Sequence, residues 1–104
     1  MIVSVERKHI RMGQPKFNRC PLALACQECF KLSWKCVEVS PMGLTMMNYH
    51  GTFVYWAKWP KEAENFHRSY FDAFKYGTQF HKLPKPFKFE IGVQPDRDWE
   101  TKVP

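Results

Sequence analysis

The sequence of 104 residues lacks the short motifs that mark the commonest classes of enzyme. It contains no GxxxxGKS/T phosphate loop, no GxGxxG dinucleotide motif, no HExxH zinc motif and no GxSxG nucleophile turn. Its ten Asp and Glu are scattered, and no pair has the spacing expected of glycosidase or two-metal chemistry. We therefore expect a protein that is not an enzyme and that needs neither a cofactor nor a metal ion.

Long hydrophobic runs are lacking as well. No stretch approaches the ~20 apolar residues that a membrane span needs, and Met1 leads into a β-prone run rather than a signal peptide. Hydrophobic residues nonetheless make up 44% of the chain and aromatic residues 16%, which is enough to fill a core without disulfides. We expect a single domain over residues 1–93, a flexible tail over residues 94–104, free cytosolic thiols and no membrane contact.

Positive charge is concentrated in the first third of the chain. The net charge is +6, and residues 1–35 hold seven Lys or Arg against two Glu, which gives +5 for that segment. Residues 92–104 carry a net −1. A basic patch of this kind favours an anionic partner, such as a nucleotide, nucleic acid or an acidic protein surface. A solvated face that keeps a small protein soluble explains the same charge.

Punctuation by Pro and Gly predicts two main helices. Pro21, in the first helical position after Cys20, has its φ preset and needs no partner for a backbone N–H, so a helix begins there and fades near residues 31–33. A second helix begins at Pro60 and ends before Gly77, with acidic residues in its first turn. The segment 7–11 is predicted to form one further helical turn that ends at Gly13.

Five β-prone runs complete the pattern, at residues 2–5, 34–40, 44–49, 52–59 and 87–93. His50-Gly51 is predicted to connect the third and fourth runs as a hairpin. The order β-α-β-β-β-α-β predicts an α+β fold, in which a four- to five-stranded, mostly antiparallel sheet packs against two helices. Alternation in the run 52–59 places apolar side chains on both faces, so we expect that strand to be covered on both sides.

The beginning of the Cys20-Pro21 helix is the predicted site for an anion. Backbone N–H groups are exposed at a helix N-terminus and, with the helix dipole, favour a phosphate or a carboxylate. Basic side chains that arrive from the preceding segment would complete this site. They are Lys8, His9, Arg11, Lys16 and Arg19.

Aromatic residues suggest a second part of the site. Four Trp, four Tyr and nine Phe exceed what surface recognition needs, so most of them must form the core. Trp56 and Trp59, with Arg68 on the second helix, are predicted to form an exposed stacking and charge surface for a base. A self-association surface explains the same residues, and we expect a homo-oligomer, with a symmetric dimer as the default.

The cysteines open two further possibilities. Cys26 and Cys29 form a CxxC pair, but inside an amphipathic helix both face the core, so we expect small hydrophobic residues rather than zinc ligands. Cys20 stands at a helix N-cap, where backbone N–H groups and the dipole lower a thiol pKa, and His9 is near in sequence. No orienting third residue is evident, so a buried thiol is the preferred interpretation and a small Cys-dependent enzyme the alternative.

Three segments contain short motifs in a fixed order. They are His9-Ile10-x-x-Gly13, Cys20-Pro21-Leu22-Ala23-Leu24-Ala25, and Phe71-Asp72-Ala73-Phe74 followed by Gly77 and Pro86-Phe87-Lys88-Phe89-Glu90-Ile91. In this order they resemble a widespread set of small phage and prophage proteins of uncharacterised function, which show an "EHI…G" element, a "CPIALA"-like helix start and a closing "FD…G…PFxFxL". The sequence departs from that pattern at Lys8, where an acid is usual, in its long aromatic hairpin, and in the tail past Val93.

The resemblance implies a phage accessory protein that acts in the host cytoplasm, often as a non-catalytic antagonist of host machinery. Together with the basic patch, it predicts a protein that binds an anionic target and antagonises host defence. The target would be a nucleotide signal that it sequesters, or a host defence protein that it blocks. Direct binding of DNA or RNA is the alternative among binding functions, and its affinity would fall steeply with salt.

Overall fold

The computed structural model describes residues 1–48, 54–75 and 85–92. The predicted hairpin connection at His50-Gly51 and the predicted tail at 94–104 lie outside these residues. The elements run in the order β1 (Ile2–Val5), α1 (Arg7–Met12), α2 (Pro21–Phe30), a 3-10 turn (Trp34–Cys36), β2 (Val37–Val39), β3 (Gly43–Met47), β4 (Val54–Lys58), α3 (Lys61–Lys75) and β5 (Phe87–Glu90). The predicted α+β class and the antiparallel pairing are confirmed.

The described strands form two sheets, where a single sheet was predicted. β2, β3 and β4 make a three-stranded antiparallel sheet in sequence order, whereas β1 pairs with β5, from Ile2 opposite Glu90 to Val5 opposite Phe87. Helix α2 packs against both β1 and β2, and so it links the two sheets. None of the helices within the described ranges is long and apolar enough to traverse a membrane.

Helix α2 follows the local signals of its sequence. Cys20 is the N-cap with extended backbone, and Pro21 fills the first helical position as predicted. The helix ends at Lys31, which takes the left-handed conformation with φ 58° and whose backbone N–H donates to the carbonyl oxygens of Gln27 and Glu28. Because only Gly adopts this conformation without steric cost, Lys31 holds a modest strain at the helix end.

The core lies between α2, α3 and the two sheets. Side chains from each of these elements are almost completely buried, among them Val3, Leu22, Met46, Tyr70 and Phe89. Burying a large apolar side chain contributes roughly 1.5–3 kcal/mol, so these residues dominate the stability of the fold.

Strand β4 differs from the prediction that both of its faces are covered. Val54, Tyr55 and Trp56 are all more than half exposed. The Trp56 ring lies over Gly43, where a Cβ atom added to the glycine would fall 2.9 Å from the ring and 2.3 Å from the carbonyl oxygen of Ala57. Glycine is therefore required at this close approach. The predicted homo-oligomer would have these exposed side chains available for a second copy, and it stays a prediction.

Trp59 corrects the predicted stacking surface. It follows β4 directly, but its side chain is 3% exposed and belongs to the core. The indole Nε1–H donates to the carbonyl oxygen of Ser40 at 2.7 Å, and the ring meets Phe89 edge to face at 5.7 Å between centroids. Trp59 therefore joins the β2–β3 turn to β5 and is not available to stack on a ligand.

Candidate functional site

A groove of about 1000 Å³ lies between the α1–α2 loop (residues 13–20), the β2–β3 turn (residues 40–42) and α3. We call it the α3 groove. Three of the predicted site residues, Lys16, Arg19 and Arg68, line it. The first two stand on the loop and the third on the helix, so the fold brings together basic residues that are far apart in the sequence.

The loop wall of the α3 groove is fixed by backbone hydrogen bonds. The Val39 N–H donates to the Phe17 carbonyl oxygen at 2.7 Å, which attaches the loop to β2. The Gln27 side-chain amide donates to the Asn18 carbonyl oxygen at 2.9 Å, which attaches the loop to α2. Phe17 itself is 58% exposed and lines the groove. These bonds fix the backbone from which the exposed side chains of Lys16 and Arg19 project.

The helix wall carries a stacked pair of rings. His67 and Phe71 lie 4.4 Å apart between centroids at an interplanar angle of 22°, and both line the groove. His67 is only 7% exposed, and burial lowers its pKa below the ordinary value of 6.5, so the imidazole is neutral at pH 7. Among the described residues its ring nitrogens have no hydrogen-bond partner, which leaves one donor and one acceptor for a ligand.

Charged side chains in the α3 groove give it a net positive charge. The lining includes three basic and two acidic side chains, so the sum of its charges is +1. They are Lys16, Arg19 and Arg68, and Glu64 and Asp72. The guanidinium of Arg68 lies 3.3 Å from the carboxylate of Glu64, and both groups are solvent-accessible. Such a pair contributes about 0–1 kcal/mol, so Arg68 can exchange this partner for a bound anion at little cost.

Lys8 and His9 are committed to a different set of contacts. The Lys8 ammonium lies 2.9 Å from one carboxylate oxygen of Glu28 and 3.4 Å from a carboxylate oxygen of Glu6. His9 is buried, and its Nε2 lies 2.9 Å from the other oxygen of Glu28. Neither Lys8 nor His9 lines the α3 groove, so the structure does not place them in one site with Lys16 and Arg19.

Arg11 and Trp56 also stand apart from the α3 groove. Arg11 is exposed on α1, and Trp56 is exposed on β4. Neither residue lines the groove. Of the eight predicted site residues, the fold therefore assembles Lys16, Arg19 and Arg68 and leaves the others elsewhere.

Glu6, His9 and Glu28 form the one group of three metal-ligand side chains that lies close together within the described ranges, with their donor atoms inside 4.8 Å. Their hydrogen bonds do not fit a metal ion. His9 Nδ1 accepts the backbone N–H of Glu6 at 2.9 Å, so the ring proton sits on Nε2 and is donated to Glu28. A metal at Nε2 would have to displace that proton while Nδ1 stayed an acceptor, and the Lys8 ammonium already lies against both carboxylates.

These contacts explain the titration of the group. The hydrogen bond from His9 is the largest cause that lowers the pKa of Glu28, and the bond from Lys8 acts in the same direction. The pKa of Lys8 is raised, mainly by its hydrogen bond to Glu28. The group is therefore a charge-assisted link between α1 and α2.

Cys20 occupies the predicted N-cap, but the expected lowering of its thiol pKa is wrong. Its side chain is 1% exposed, and burial raises the pKa to about 11 despite the backbone N–H groups of Leu22 and Ala23, which lower it. The pKa values of Cys26 and Cys29 are raised as well, again mainly by burial. All four thiols are free. The interpretation of Cys20 as a buried thiol is confirmed.

Several groove residues were missed by reasoning from the sequence. Apolar periodicity alone places His67 outside the apolar stripe of its helix and places Phe71 in the core. The i, i+4 spacing of the two residues was the signal in the sequence that their rings could stack. The positions of Asp72 in the groove and of Glu28 beside His9, outside the groove, had no local signal, because both depend on contacts that only the fold creates.

No family model, no curated protein and no solved structure matches this chain. The resemblance to small phage and prophage proteins therefore stays a prediction.

Proposed function

We propose that the protein is a non-enzymatic binding protein whose α3 groove takes a small anionic ligand of the nucleotide class. The observation that carries this proposal is the meeting of Lys16, Arg19 and Arg68 in one groove with the stacked rings of His67 and Phe71. The volume of about 1000 Å³ is at the upper end of the 300–1000 Å³ typical of small-molecule sites.

Both kinds of lining group are needed to define the ligand. Inorganic phosphate would satisfy the cations but would leave the aromatic wall unused, and a purely apolar ligand would bury the cations without partners. A nucleotide offers a phosphate for Lys and Arg donors and a flat ring for stacking. The groove is thus suited to a ligand that carries both parts.

Pairing of Lys8 with Glu6 and Glu28 favours a compact ligand over a long nucleic acid. That pairing neutralises part of the basic segment that a DNA or RNA backbone would need along a whole face. In the setting that the sequence motifs suggest, a phage accessory protein in the host cytoplasm, sequestration of a nucleotide signal would antagonise host defence. Binding of nucleic acid is the alternative that the experiment below separates.

The test is calorimetric titration with nucleoside monophosphates, inorganic phosphate and a short single-stranded DNA. We expect the variant Lys16→Glu/Arg19→Glu to weaken nucleotide binding at least tenfold. The variant Arg11→Glu/Lys58→Glu makes the same change of charge at exposed positions outside the groove, and we expect its affinity to stay within twofold of the wild type. Equal losses in the two variants, or affinity for DNA alone, would overturn the proposal.

A further inference from the structure

The face of α3 that lines the groove is one continuous helical stripe. Its members are Glu64, His67, Arg68, Phe71 and Asp72, at positions i, i+3, i+4, i+7 and i+8. Along this stripe the cation of Arg68 comes four residues before the carboxylate of Asp72, a rise of about 6 Å. The helix therefore offers a group for a phosphate and a group of the opposite sign on the same surface.

Asp72 is the member of this stripe whose partner is missing. Glu64 is paired with Arg68 and His67 is stacked on Phe71. Asp72 is exposed, and no other described residue forms a hydrogen bond or an ion pair with it. A carboxylate in a groove that attracts an anion repels the charged end of the ligand. It is instead suited to a part of the ligand that donates hydrogen bonds.

We infer that the α3 groove selects guanine among the bases and that Asp72 determines this specificity, an inference that rests on the proposed function. An ionised carboxylate only accepts hydrogen bonds, and its two oxygens match two parallel N–H donors. Guanine offers such a pair, the ring N1–H and the adjacent 2-amino group. Adenine and cytosine place a ring acceptor beside their amino group, and uracil places its N–H between two carbonyl oxygens.

The remaining groups of the groove agree with this orientation. The base lies against the ring pair of His67 and Phe71, next to Asp72 on the same helix. The phosphate then faces Lys16 and Arg19 on the opposite wall. A neutral His67 can donate to or accept from the base edge or the ribose without changing the charge of the site.

The experiment compares GMP with IMP, which lacks only the 2-amino group, and with AMP, by calorimetry at one salt concentration. We expect the wild type to bind GMP at least tenfold more tightly than IMP or AMP. In Asp72→Asn the preference for GMP over IMP, expressed as the ratio of their affinities, should fall below threefold. The affinity of this variant for IMP should equal that of the wild type. Glu62→Gln, an exposed acid of the same helix outside the groove, is the matched control and should keep the wild-type ratio.

The outcomes separate this inference from the proposal on which it rests. Similar affinities for GMP, IMP and AMP in the wild type would overturn the role of Asp72 and leave nucleotide binding intact. A preference for GMP that persists in Asp72→Asn would also overturn it. Failure of every nucleotide to bind would overturn the proposed function itself.

Discussion

His9 Nε2 donates a hydrogen bond of 2.9 Å to the carboxylate of Glu28, and this contact joins α1 to α2 across 19 positions of sequence. It satisfies the polar end of a buried ring, and on the other side of the ring Nδ1 accepts the backbone N–H of Glu6. The contact holds His9 outside the α3 groove and gives α1, a helix of six residues, a fixed place on the fold.

Glu28→Gln should lower the free energy of unfolding by about 1 kcal/mol at pH 7, because a neutral amide replaces the carboxylate that His9 and Lys8 address. His9 and Lys8 hold the pKa of Glu28 below its ordinary value of 4.5, so the contribution is complete above that pH and is lost as pH falls through the lower, folded pKa. Urea unfolding should show the difference between the two proteins shrinking as the pH falls through the folded pKa of Glu28. Glu38→Gln, at an exposed position on β2, is the control, and an equal loss in that variant would contradict the prediction.

Trp59→Phe should destabilise the protein by about 1–3 kcal/mol, because the carbonyl oxygen of Ser40 loses its donor in a closely packed region. Trp56→Phe makes the same chemical change on a half-exposed ring and should cost less than about 0.5 kcal/mol. Thermal unfolding of the two variants measures the difference. Equal effects would mean that the indole hydrogen bond of Trp59 adds nothing to its packing.

Lys31→Gly should raise the free energy of unfolding by about 0.5–1 kcal/mol, since glycine takes the left-handed conformation without the steric cost borne by a side chain. The two backbone hydrogen bonds that end α2 do not involve the lysine side chain and should persist. Denaturant titration measures the change. Lys61→Gly, on an exposed helical position with ordinary φ, should destabilise instead.

Alkylation of the native protein at pH 8 should modify Cys29 first and leave Cys20, Cys26 and Cys36 unmodified for much longer. Those three thiols are at most 1% exposed, and burial raises the pKa of Cys20 to about 11, so thiolate is scarce. Mass spectrometry after a timed pulse of iodoacetamide measures the order, and all four should react in urea. Rapid modification of native Cys20 would contradict this prediction and would favour the alternative that the protein is a Cys-dependent enzyme.

Local signals predicted the elements better than their arrangement. Pro21 and the apolar spacing after it define α2 to within a few residues, because both act over a single turn of chain. The pairing of β1 with β5 and the division into two sheets depend on contacts between distant segments, which periodicity does not encode. Trp59 alternates like an exposed strand residue, and only the approach of Ser40 and Phe89 explains its burial.

The same limit applies to the candidate site. Basic character at Lys16, Arg19 and Arg68 was evident from composition, but their meeting in one groove required the fold. The sequence predicted Lys8 and His9 as site residues on the same grounds. Both instead contact Glu28, about 20 positions further along the chain, and lie outside the groove.

Strand β1 pairs with β5, and the amino group of Met1 donates to the carbonyl oxygen of Ile91, 90 positions away. During synthesis β1 leaves the ribosome well before β5. Until β5 follows, the strand has no partner and the apolar side chains of Val3 and Val5 are exposed. The pairing of β1 with β5 is thus a late step in the folding of each newly made chain. A truncated chain that ends before β5 would expose the unpaired edge and the apolar side chains of β1, which chaperones and proteases recognise.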